Sequence, residues 1–419
     1  MRLCAAARDE FNLKSAALGA LQSVDRELLK MALILGLVSM IGPFAIDMYL
    51  PAMPAIAADF NTSASVAQLT LTSYFVAFAV AQMVFGPASD VFGRKKPIYV
   101  GMTLFILASV ACVLSHTIEM LIAVRFLQGF GAAGIMSIPR AVIRDRYTGV
   151  KATRLMSTVM LVFSVSPMLA PLAGSMIIVP FGWRAVFAVV AGAAALALVL
   201  NIFALPETLP QHQRSPFQLS IMLTNFGILL KDRLFIGLTL IGGLGMASFF
   251  VFLGSASFVY MEYYKLSPTQ FSLAFAVNAA GFFIASQFSA NLLGRLGPTR
   301  LIRYTVFGFA LTTTTLLLAF VTGWGSLPLM ILLLVMGNLF LGFMMPTANV
   351  LALEEHGPIA GAAASLGGTM QMVTGVVAMA LGSAVFDGSP LPMLMIIAAC
   401  GVITLALALL TVRDRPAAA

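Results

Sequence analysis

Apolar runs of about 20 residues, each long enough to cross a bilayer as a helix, recur about twelve times along this chain between short polar breaks. They fall near residues 31–51, 69–89, 97–115, 119–140, 155–179, 184–205, 235–260, 271–292, 302–321, 327–353, 361–386 and 390–412. With 60% hydrophobic and 10% charged residues, an ordinary soluble fold is excluded. In hydrocarbon every backbone N–H and C=O needs a partner inside the protein, so the expected class is an all-α, twelve-span membrane protein.

The net charge of +8 does not mark a nucleic-acid binder, because the basic residues sit in alternate breaks rather than along one helix face. All but three of the 24 Lys and Arg fall on the side of the N-terminus; Arg184 and Lys265 lie opposite, and Arg125 lies within a span. The positive-inside rule then puts both termini in the cytoplasm, as an even number of spans requires. The first 30 residues lack the uninterrupted apolar region and cleavage site of a signal peptide.

The longest polar interruption, Pro206 to Arg233, follows six spans and precedes six more. The expected organisation is a cytoplasmic tail (1–30), a six-helix bundle (31–205), a cytoplasmic linker (206–233), a second six-helix bundle (234–412) and a tail (413–419). Within the linker, Ile221 to Leu230 is apolar but too short to cross, which predicts a surface amphipathic helix. Two pseudo-symmetric halves with a substrate site near the midplane are the plan of a secondary transporter. A short internal repeat agrees: Asp90-Val-Phe-Gly93-Arg94-Lys-Lys96 after the second span, Gly294-Arg-Leu-Gly297-Pro-Thr-Arg300 after the eighth.

Inside the first span stands a carboxyl, Asp47, in Ile41-Gly-Pro-Phe-Ala-Ile-Asp47-Met-Tyr49-Leu-Pro51. A charge at the bilayer centre costs at least about 2.5–3.5 kcal/mol, so Asp47 faces the interior or a wet cavity and is read as a proton-binding site. Arg125, in Arg125-Phe-Leu-Gln128-Gly129-Phe-Gly131, falls at a similar depth in the fourth span, which lets the two charges share one cavity. Pro51 is read as the end of the first helix, with Asp47 toward the outer mouth. The glycines after Gln128 match a dinucleotide fingerprint in letters only, since no strand precedes them; close helix packing explains them better.

Between the second and third spans the chain reads Gly86-Pro-Ala-Ser-Asp90-Val-Phe-Gly93-Arg94, with Gly86-Pro87 at the helix end and Gly93 in the tight turn. The fifth span carries Ser166-Pro167-Met-Leu-Ala-Pro171-Leu-Ala-Gly174, whose prolines kink it. In the second half the polar residues in spans are neutral, among them Asn278, Asn338, Asn349 and Gln371; they line a cavity or bond helix to helix. The 32 Phe and 25 Met suit an adaptable lipophilic pocket as well as ordinary packing. Neither the three Cys nor the three His have metal-ligand or relay spacing, so no metal or cofactor is expected.

Taken together, the Ile46 to Pro54 phrase, the G-x-x-x-D-x-x-G-R-K turn, Arg125 to Gly134 and the fifth-span prolines resemble the bicyclomycin and chloramphenicol resistance (Bcr/CflA) group of drug:proton antiporters in the major facilitator superfamily. That resemblance implies a bacterial inner-membrane, multi-pass, monomeric exporter of lipophilic drugs such as antibiotics, working by alternating access. Its partners would be small-molecule substrates, protons and the lipid bilayer, with no nucleic acid. It implies a cytoplasmic gate of Gly86, Asp90, Gly93, Arg94 and Asp145, with Asp145 the natural partner of Arg94. It also implies proton coupling and substrate contact at Asp47 and Arg125, helix motifs at Gln128, Gly129, Pro167, Pro171 and Gly174, and a cavity drawing on Tyr49, Asn278, Asn338 and Gln371. Val91 departs from the family pattern, where a basic residue is usual. Export of an amino acid or other small metabolite is the alternative, and no catalytic constellation of an enzyme is present.

Overall fold

The computed structural model describes residues 30–214, 219–354 and 356–412. The expected tails (1–29 and 413–419) and linker residues 215–218 lie outside the described residues. The first span is α1 (residues 30–47), a turn, a 3-10 segment Leu50–Ala52 and α2 (Met53–Asp59). Then come α3 (Ala64–Phe92), α4 (Lys95–Val113), α5 (Ile118–Arg146), α6 (Gly149–Phe181) and α7 (Trp183–Ala204). A short α8 (Leu219–Leu229) precedes α9 (Arg233–Phe258), α10 (Pro268–Leu296), α11 (Pro298–Val321), α12 (Leu327–Glu354), α13 (Ala360–Val385) and α14 (Leu391–Thr411). Eleven of these spans are long and apolar enough to cross a membrane, and α6, bent by 42° between 155–161 and 165–181, brings the number to as many as twelve.

Two sequence-based boundaries are corrected. The first span does not stop at Pro51 but runs from Lys30 to Asp59. Pro51 and Pro54 occupy the first turns of the 3-10 segment and of α2, where the missing N–H has no helical acceptor to lose. Asp47 therefore lies deep in the span, roughly 18 Å short of Asp59 at ~1.5 Å per residue, rather than at its mouth. Likewise Gly86-Pro87 is inside α3, which continues to Phe92. The stop is Gly93, whose φ of +88° is left-handed backbone that glycine adopts without strain. Gly297, at φ +75°, makes the corresponding turn between α10 and α11, so the short repeat has a structural counterpart.

Helices α3, α4, α5 and α7 pack as one group, and α9 to α14 as another. Helix α6 packs on α5 and α7 of the first group and on α10 of the second, and α3 meets α13. In the first group α5 comes close to its neighbours through small residues: a Cβ on Gly129 would overlap the Tyr74 backbone, and one on Gly131 the Gly101 carbonyl. Gly93, Asp145 and Glu207 lie at one face of the molecule, the linker face. Toward the opposite face the two groups touch: Phe75 stacks on Phe250 with ring centroids 4.2 Å apart, and Ser272 Oγ donates to the Pro171 carbonyl at 2.8 Å. Toward the linker face α5, α6 and α10 border a cavity of about 1020 Å³.

Candidate functional site

Asp47 is the last residue of α1, and a turn at Met48 and Tyr49 follows it. Its side chain is buried and accepts one hydrogen bond, from Ser166 Oγ of α6 at 3.4 Å. The approach of α6 depends on Gly174, because a Cβ there would run into the Met48 carbonyl. Pro167 and Pro171 belong to the same helix, and the Pro171 carbonyl takes the Ser272 hydroxyl from the other group. The carboxyl and a contact between the two groups thus share α6.

Arg125 is fully buried, and its surroundings differ from the pairing with Asp47 that depth matching suggests. The guanidinium lies between the Tyr49 and Tyr74 rings, 4.5 Å from each centroid, and 5.7 Å from the Phe187 ring. Nη1 donates to Gln128 Oε1 at 2.5 Å and to the Ala45 carbonyl at 3.4 Å. Gln128 Nε2 in turn donates to Ser109 Oγ at 2.7 Å. Arg125 and Asp47 form no ion pair: aromatic faces and an amide carbonyl take the guanidinium, while the carboxylate turns to Ser166. Tyr49 belongs to this box, its hydroxyl bonded to Thr70 Oγ1, and is fully buried. Aromatic faces attract a cation electrostatically, most strongly where water is excluded.

On the linker face, Arg94 gathers two of the other expected gate residues, Asp90 and Asp145. Its Nη1 bonds Asp90 at 2.6 Å and Ser89 Oγ at 2.7 Å, while Nε and Nη2 fork onto Asp145 at 2.6 and 3.3 Å. Glu207, just past α7, closes the cluster by accepting the backbone N–H of Arg94 at 2.9 Å and of Lys95 at 3.2 Å. Burial, the largest single influence on this carboxyl, pushes its pKa up; the backbone N–H groups of Arg94, Leu209, Lys95 and Thr208 outweigh it and hold the value below the ordinary 4.5. A Cβ at Gly93 would press on the ends of the Glu207 and Arg214 side chains, and its φ of +88° would strain any other residue. Gly86 has open space around its Cβ position, so sterics there do not require glycine.

The four residues expected to line a cavity do not line the 1020 Å³ one. Besides Tyr49, Asn338 donates to Asn278 at 2.6 Å between α12 and α10, and Gln371 donates to Asn349 at 2.8 Å between α13 and α12. These are interhelical bonds; Asn278, Asn338 and Gln371 are buried and need a partner in low dielectric, while Asn349 is exposed. The cavity wall comes instead from Ser137, Arg140, Arg144, Tyr147, Met156, Ser157, Met160, Leu161 and Gln287, among others.

Sequence reasoning passed over Tyr74, Phe187 and Ser109, which carry no signal apart from ordinary apolar or small-polar identity inside spans. Ser166 stood next to the quoted prolines, and Glu207 stood in the linker as an acid beside basic loops. That local charge contrast was the one sign available for Glu207.

The Major Facilitator Superfamily model matches residues 35–379 and 244–419. An "Uncharacterized MFS-type transporter YdgK" of Bacillus subtilis is 35% identical over 352 residues, 84% of this chain and 87% of that protein. A "Bicyclomycin resistance protein homolog" of Haemophilus influenzae is 31% identical over 375 residues, 89% of this chain and 93% of that protein. Among solved structures, a D-xylose-proton symporter superposes with a TM-score of 0.71 at 18% identity, covering 92% of this chain and 98% of that one, a likeness of fold.

Proposed function

This chain belongs to the major facilitator superfamily, and from that premise we propose that it is a proton-coupled exporter of lipophilic drugs working by alternating access. It is a multi-pass membrane protein and a transporter rather than an enzyme. In the proposed arrangement it is a monomer of two six-helix halves in the bacterial inner membrane, with the linker face and both termini in the cytoplasm. The name of the bicyclomycin resistance homolog favours drugs over amino acids or other small metabolites as cargo.

One observation carries the proton-coupling reading: Asp47 is buried deep in a span, with a single hydroxyl as its hydrogen-bond partner among the described residues. An ionised carboxyl so placed is expensive in low dielectric, and gaining a proton removes that cost. The proton binds beside the α1–α6 seam, and α6 also bears the Pro171 contact to Ser272. In the cycle we infer, cargo enters the cavity from the cytoplasm. The contacts at Phe75, Phe250, Pro171 and Ser272 then open and the linker face closes over Arg94, Asp90 and Asp145. Protonation of Asp47 from outside accompanies release and return. Arg125 supports this cycle from its aromatic box rather than as the counter-ion of Asp47.

The deciding experiment is pH-gradient-driven drug uptake into inverted membrane vesicles, with wild type and Asp47→Asn compared at equal expression. The expected result is gradient-dependent uptake in wild type and its loss in Asp47→Asn. Undiminished coupled transport by the variant would remove Asp47 from the mechanism.

A further inference from the structure

The seam that holds the face opposite the linker shut also contains polar groups that work against its closure. Gln68 stands seven residues before Phe75 on α3, and Ser257 stands seven residues after Phe250 on α9. Seven residues make nearly two helical turns, so each lies on the same side of its helix as the aromatic, roughly 10 Å along the axis. Because α3 runs toward the linker face and α9 away from it, both displacements point outward, and Gln68 and Ser257 reach the seam at matching depth beyond the Phe75–Phe250 stack. Both side chains are buried, at 1% and 0% exposure, yet neither amide atom of Gln68 nor Ser257 Oγ has a hydrogen-bond partner among the described residues. The hydroxyls around Gln68 do find partners: Thr70 bonds Tyr49, Thr72 donates to the Gln68 carbonyl at 3.2 Å, and Ser73 donates to the Ile122 carbonyl at 3.0 Å. Neither Gln68 nor Ser257 lines the 1020 Å³ cavity.

A polar group shut away from water without a partner disfavours the state that buries it, and the same group is satisfied as soon as water reaches it. Parting α3 from α9 wets Gln68 and Ser257, so these groups act on one conformation and not on the other, which is what a shift of equilibrium requires. We propose that Gln68 and Ser257 are a release device in this seam, left without partners when it is closed so that it reopens to that face in every cycle. The aromatic stack holds the seam together, and the unpartnered groups keep it from becoming a trap. This inference rests on the alternating-access reading and adds to it the element that opposes closure.

The test places the reporter Ser272→Cys in the full chain without its native cysteines and follows its labelling by a membrane-impermeant maleimide added outside intact cells. The double variant Gln68→Met/Ser257→Ala keeps the shape of both side chains and removes their unmet hydrogen bonds. Its labelling rate should fall at least about fivefold, the population shift that one unpartnered buried polar group produces. Ser257→Ala alone, a change of one atom, should move the rate in the same direction, while Gln68→Glu, with a charge to hydrate, should raise it above that of the reporter alone. The melting temperature of the double variant in detergent should equal or exceed that of wild type. A labelling rate unchanged or raised by the apolar substitutions, or a melting temperature several degrees lower, means that the two groups stabilise the closed seam, and overturns the proposal. Unchanged labelling alongside intact gradient-driven uptake defeats this inference alone. No labelling of the reporter from outside in any variant defeats the alternating-access reading, and this inference with it.

Discussion

Ser166 donates its hydroxyl to Asp47 Oδ2 at 3.4 Å across the seam between α1 and α6, and eight residues further along α6 Gly174 lies against the Met48 carbonyl. Between them Pro171 receives Ser272 from α10. A change of charge on Asp47 is therefore felt first by the helix that joins the two groups.

Gly174→Ala follows from that packing. The added methyl has to displace either α6 or the turn after Asp47, and overpacking of this kind costs typically about 1–3 kcal/mol. The expected outcome is a lower melting temperature in detergent and reduced gradient-driven uptake, whereas Gly86→Ala, with open space at its Cβ position, leaves the melting temperature near wild type. Equal melting curves for the two variants would contradict the close contact.

The linker clamp predicts an acid-sensitive step. Because the Glu207 pKa lies below its ordinary 4.5, its contribution to stability is complete above that value and is lost as pH falls through the lower, folded-state value. Wild type should lose melting temperature on acidification below about pH 4.3, and Glu207→Gln should start lower at neutral pH and lose less over that window. Parallel pH profiles for the two proteins would show that the carboxylate is not what caps α4.

On the opposite face, the Phe75–Phe250 stack joins the two groups where the outward path would open. An aromatic pair is worth about 0.5–1.5 kcal/mol beyond its buried area, so Phe250→Ala should raise the population open to that face by roughly threefold to tenfold. The readout is the labelling rate of Ser272→Cys by a membrane-impermeant maleimide, in a background lacking the native cysteines. An unchanged rate would mean that the stack does not restrain opening.

How much of this was legible beforehand differs by residue. The spans were plain because a bilayer demands long apolar runs, and the superfamily followed from motifs local enough to be read as words. Pro51 misled because proline stops a helix interior but suits a helix start, and only the backbone distinguishes the two uses. The depth of Arg125 was readable; its partners were not, because Tyr49, Tyr74 and Phe187 come from three separate spans and look like ordinary span residues. For Asn278 and Gln371 the sequence favours interhelical bonding over a cavity role but does not settle it, since an amide's identity does not say which way it points. Glu207 went unnoticed because its work is done by backbone N–H groups more than 100 residues away.

Arg125 offers the sharpest separation of structural from functional roles. A lysine keeps the charge but lacks the flat fork that fits between the Tyr49 and Tyr74 rings while bonding Gln128. Stranding a buried charge without its partners costs about 3–5 kcal/mol, so Arg125→Lys should lower the melting temperature strongly and abolish uptake. Arg125→Met takes away the charge together with its desolvation cost, and apolar replacement of buried ionic groups is often neutral for stability. That variant should fold, with a melting temperature closer to wild type than the lysine variant, yet fail in gradient-driven uptake. Should Arg125→Met transport at the wild-type rate, the guanidinium serves packing alone and coupling rests with Asp47.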